Sequence, residues 1–86
     1  MAEILADLRA LVARVDNDFA RSWWDGTQDA LSEVDGLIAA YERSGEVPPG
    51  LGSLFLPTSG LQELAIGSGW GNELNALADR YDALGG

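Results

Sequence analysis

Residues 4–19 read Ile4-Leu5-Ala6-Asp7-Leu8-Arg9-Ala10-Leu11-Val12-Ala13-Arg14-Val15-Asp16-Asn17-Asp18-Phe19, and this stretch decides the fold class. Its apolar members Ile4, Leu5, Leu8, Leu11, Val12, Val15 and Phe19, continued by Trp23, fall three or four residues apart and line one helical face. Asp7, Arg9, Arg14, Asp16 and Asp18 fill the intervening positions as a solvated face. The spacing predicts a helix of about five turns closing near Trp24. There Asp25-Gly26 is a turn dipeptide, and glycine accepts the left-handed conformation that ends helices.

Downstream, Leu31, Val34, Leu37, Ile38 and Tyr41 repeat the helical spacing. Asp25 or Thr27 is placed to cap this second helix, and Asp29 falls early, where the helix dipole favours a negative charge. The pattern stops at Ser44-Gly45, and two helices joined by a tight connection predict an antiparallel hairpin. From Glu46 to Ser59 the composition changes: Val47-Pro48-Pro49-Gly50-Leu51-Gly52 precedes the apolar run Leu54-Phe55-Leu56 and Pro57. Prolines without an N–H and glycines with excess backbone freedom predict an ordered loop containing one short turn. Its three consecutive apolar residues either cover the open end of the core or contact a partner.

Ser59-Gly60-Leu61-Gln62 matches a capping box and opens a short third helix carrying Leu61, Leu64, Ala65 and Ile66, which Gly67-Ser68-Gly69 ends. A last helix holds Leu74, Leu77, Ala78, Tyr81 and Leu84, with Asn72 as its cap, Glu73 in the first turn and Arg80 in the last. No convincing period-2 run occurs. The expected fold is all-α: one domain over residues 1–86, a small four-helix bundle made of a helical hairpin, a Pro/Gly-rich loop, a short third helix and a C-terminal helix.

The 86 residues include 14 acids and 5 arginines, with no lysine, histidine or cysteine, for a net charge of −9. Without cysteine there are no disulfides and no thiolate metal ligands. Without histidine the commonest general base and metal ligand is missing, so no Ser–His–Asp arrangement exists. Carboxylates alone, in a chain with little room for a cleft, predict no enzyme and no cofactor. Five scattered arginines offer no basic stripe for nucleic acid, and the same sign argument excludes an anionic membrane surface. Met1-Ala2-Glu3 runs into an amphipathic pattern with no leader-like apolar stretch, which predicts a cytoplasmic protein.

Asp16-Asn17-Asp18 starts like a calcium loop, but Ala20 and Arg21 stand where a third oxygen ligand and the turn glycine are needed, so no metal site is expected. Gly67-Ser68-Gly69-Trp70-Gly71 lacks the preceding strand and following lysine of a phosphate loop. Leu84-Gly85-Gly86 reads as a helix end, because the di-glycine tails of ubiquitin-like carriers belong to β-sheet proteins.

Charge placement carries the functional reading. Asp16, Asp18, Asp25, Asp29, Glu33 and Asp35 stand against Arg21 alone, so residues 16–35 hold −5 of the chain's −9. Asp29 and Glu33, four apart, form a like-charge pair that costs a helix about 0.2–0.5 kcal/mol. The acids either keep a small protein soluble or form a docking face for a basic partner. Trp24 points about 100° from Trp23 on a helix and is expected to be partly exposed, and Trp24 or Phe55 is the candidate anchor for a partner. The candidate partner-binding residues are Asp18, Asp25, Asp29, Glu33, Trp24 and Phe55.

The segment Pro49-Gly50-Leu51-Gly52-Ser53-Leu54-Phe55-Leu56-Pro57 is similar to the Pro, Gly, apolar-aromatic and Pro order of the loop and short third helix in small bacterial nuclease-toxin immunity proteins. Size, acidity and the four-helix plan resemble that family too. Phe55 stands alone where the family pairs tyrosines, and its C-terminal signature is missing. The resemblance implies a cytoplasmic inhibitor that neutralises a basic toxin through the second helix and the third-helix segment, here Asp29, Glu33 and Phe55. Trp24-Asp25-Gly26 also resembles the tryptophan-x-glycine turn of small secreted helical-hairpin proteins. The alternative reading is a structural helical homodimer that buries the loop apolar residues and a tryptophan.

Overall fold

The computed structural model describes residues 1–19, 24–48, 50–55 and 59–84, and five helices form among them. They are α1 (Ala2–Val12), α2 (Thr27–Ser44), α3 (Leu51–Leu54), α4 (Gly60–Ser68) and α5 (Gly71–Ala83). No strand occurs among the described residues, so the fold is all-α.

In α1 the apolar spacing becomes a fully used face: Ile4, Leu5, Leu8, Leu11 and Val12 are all buried. The helix is shorter than its periodicity predicts, ending at Val12 instead of near Trp24. Ala13, which follows it, is right-handed, so no glycine closes the last turn. The Asn17 side-chain amide does so instead, donating to the carbonyls of Leu11 at 3.0 Å and Val12 at 2.9 Å. These carbonyls have no partner inside the helix, and satisfying them from the following chain stops further winding. Val15, expected on the buried face, is therefore wholly exposed, while Trp23 lies outside the described residues.

The helix α2 ends as its sequence predicts. Gly45 adopts a left-handed φ of 71° and donates its N–H to the Tyr41 carbonyl at 2.7 Å. At its start neither Asp25 nor Thr27 is the cap; Gly26 is, and it has no side chain to offer. Only Ala30 and Val34 of α2 are fully buried; Leu31, Leu37, Ile38 and Tyr41 are half-buried against the core. The reason is its position, because α2 packs on α1, α1 also packs on α5, and α4 and α3 extend that row on the α5 side.

The Pro/Gly-rich segment contains its single turn, α3, whose Leu51 and Leu54 are buried. Leu54 thus covers the core and Phe55 is half-buried; Leu56 lies outside the described residues. Ser59 caps α4 as the capping box predicts, its Oγ accepting the Gln62 N–H at 3.1 Å, and it donates to the Leu54 carbonyl at 2.7 Å. The helix closes at Gly69, with φ 86°. Trp70, not Asn72, occupies the N-cap position of α5. The radius of gyration of 12.0 Å equals the value of about 12 Å for a compact chain of this length.

Candidate functional site

The start of α2 gathers four of the six residues picked from the sequence. Asp29, at the third helical position, takes the Asp25 backbone N–H on Oδ2 at 3.3 Å. Glu33, one turn later, takes the Trp24 indole N–H on Oε2 at 3.1 Å. Neither bond caps α2, since the donors are the Asp25 N–H and an indole and not the first amides of the helix; the Asp29 charge sits in the first turn, where the helix dipole favours it. These bonds offset the cost of the like-charge pair. Each acid also keeps a second oxygen, and Asp25, Asp29 and Glu33 are exposed. No ion pair joins any of the three to a cation among the described residues.

Trp24 corrects its expected role. It is 7% exposed and belongs to the core cluster, so it is no exposed anchor. The 100° offset does not apply, because α1 ends at Val12 and Trp24 stands outside any helix; its polar edge points at Glu33 and orients that carboxylate. Of the apolar residues that a homodimer through the loop and a tryptophan would use, Trp24 and Leu54 are buried within the chain and Phe55 is half-buried, while Trp23 and Leu56 lie outside the described residues.

The other two candidates lie elsewhere. Asp18 is held at the end of α4, its N–H donating to Ser68 Oγ at 2.8 Å. Phe55 packs on Tyr81 of α5, with ring centroids 5.1 Å apart and planes inclined by 39°. Beneath that pair a Cβ on Gly52 would come within 3.2 Å of the Tyr81 hydroxyl, so the glycine permits the close approach. The remaining α2 acid in the cluster, Asp35, is matched by Arg9 of α1 at 2.7 Å; that bond and the carboxylate charge raise the exposed guanidinium's pKa above its ordinary value.

Sequence reasoning missed Asn17, which it read only as the middle of an incomplete calcium loop. The side chain clamps the end of α1 and accepts the Trp70 indole N–H on Oδ1 at 2.8 Å. The available signal was the lack of any glycine between Leu11 and Asn17, which leaves the α1 carbonyls to another donor. Among the described residues no three acids are grouped to hold a metal ion, and no helix is long and apolar enough to cross a membrane. Comparisons of the chain with protein-family models, with curated proteins and with solved structures matched none of them.

Proposed function

We propose that the protein is a non-catalytic binding module, a small acidic inhibitor of the immunity-protein kind, which docks a basic protein partner in the bacterial cytoplasm. The single observation that carries this reading is the exposed Asp25, Asp29 and Glu33 group at the start of α2, aligned by hydrogen bonds and unmatched by a described cation. Pre-aligned charge of one sign steers association and selects partners of the other sign. Asp18, at the end of α4, adds a separate acidic contact and Phe55 an apolar one, while Trp24 acts from inside by fixing Glu33. In this reading α1, α2, α4 and α5 are the four members of a small bundle, and α3 is a turn within the connection.

The test uses the full chain as bait in a lysate of its source cell, beside a variant carrying Asp25→Asn, Asp29→Asn and Glu33→Gln. The glutamine keeps an acceptor for Trp24, so the fold is preserved while the charge is lost. A basic protein is expected to be retained by the native chain at roughly 0.1 M salt, released toward 0.5 M and missed by the variant. Equal retention by both chains, or no basic partner at all, would overturn the proposal.

A further inference from the structure

The helices α1 and α5 run antiparallel. Arg80 in the last turn of α5 reaches Asp7 at 2.8 Å and Glu3 at 4.0 Å on α1, and Met1 and Leu84 line one cavity together. Between the two helices lies an open cavity of about 350 Å³ with an apolar floor of Ala10, Leu11, Ala76 and Leu77. Charges stand along its rims in a definite order: Asp7 on the α1 side faces Arg80 on the α5 side, and further along Arg14 and Glu73 repeat the arrangement with the signs exchanged. Two of the five arginines are thus set against two acids here, so the whole net charge of −9 resides on the rest of the chain. Arg14 has no ion pair with a described acid.

We infer that this groove is a self-complementary interface whose occupant is a second copy of the chain. A half-turn about an axis parallel to the helices lays the second copy's α1 over α5, in the register that the two helices already keep within one chain. Its Asp7 then meets Arg80 and its Arg14 meets Glu73, and the symmetry repeats both contacts. Facing helices are antiparallel across the interface, as in a bundle of four. Two chains of charge −9 repel through their acid-rich faces, so the neutral groove is where they approach at least cost. None of the acids at the start of α2 takes part, and the inference is independent of the partner proposed above.

Sedimentation velocity of the full chain from roughly 1 μM to 1 mM tests it. The expected result is a species of twice the 9.1 kDa chain mass growing with concentration. Arg14→Glu, or separately Glu73→Arg, sets like charges opposite each other and is expected to weaken the dimer about tenfold or more. Combining the two restores opposite signs and the dimer, and circular dichroism confirms that each variant keeps its helix content. A chain that stays monomeric throughout, a dimer indifferent to both single changes, or a double variant that fails to recover would each overturn the inference.

Discussion

Two tryptophan corners in this molecule use the same indole N–H to opposite ends. Trp70, wholly buried, donates to Asn17, a neutral side chain whose own amide is spent on the last carbonyls of α1. Trp24, also buried, donates to Glu33, a charged side chain that remains exposed. A neutral acceptor can be sealed in a core once its hydrogen bonds are made, whereas an ionised carboxylate is too costly to desolvate and stays at the surface. The comparison teaches that a buried ring does not by itself make a corner purely structural. The charge of its acceptor decides whether anything is left facing outward.

The sharpest way to break the comparison is Trp70→Ala. Truncating a fully buried tryptophan costs about 3–5 kcal/mol, against a total of roughly 4–13 kcal/mol for a chain of this length. The variant is expected to lose most or all of its cooperative urea transition. A shift worth less than about 1 kcal/mol would remove Trp70 from its central place.

Asn17→Ala comes next, at about 2–3 kcal/mol, because it strips the Val12 carbonyl of its donor, leaves the Leu11 carbonyl only the Arg14 N–H, and strips the Trp70 N–H of its acceptor. Asn17→Asp is expected not to rescue it, since a carboxylate can accept from the indole but cannot donate to Leu11 and Val12. Urea midpoints of the two variants check this, and a stable aspartate variant would show that the amide is not the clamp.

At the Trp24 corner the effects are smaller and chemically selective. Glu33→Ala leaves a partly buried N–H without its acceptor and is expected to cost about 1 kcal/mol, while Glu33→Gln keeps the acceptor and changes stability by less than about 0.5 kcal/mol. The glutamine variant therefore separates charge from fold. Equal destabilisation by alanine and glutamine in thermal melts would mean that the negative charge itself holds the corner.

Helix ends that depend on local chemistry were readable in advance. Gly45 and Gly69 close their helices in left-handed backbone, and Ser59 caps α4. The end of α1 was not readable, because Val15 and Phe19 continue the apolar period while the residue that stops the helix acts from five and six positions away. In the candidate site, the closeness of Asp29 and Glu33 follows from helical spacing, and that of Asp25 from the turn just before α2. The burial of Trp24 does not, since it depends on which way the chain turns before Gly26 and on the core it meets there.

The sequence by itself determined the all-α class, the boundaries set by glycine and serine, and the absence of cysteine and histidine chemistry. These follow from backbone sterics, periodicity and composition, which act within a few residues. Only the tertiary structure decided that Asn17 and Trp70, 53 positions apart, share one hydrogen bond, and that two arginines line a groove against two acids between the first and last helices. Such pairings depend on how distant helices pack, and helical periodicity reports the face that packs without naming its neighbour.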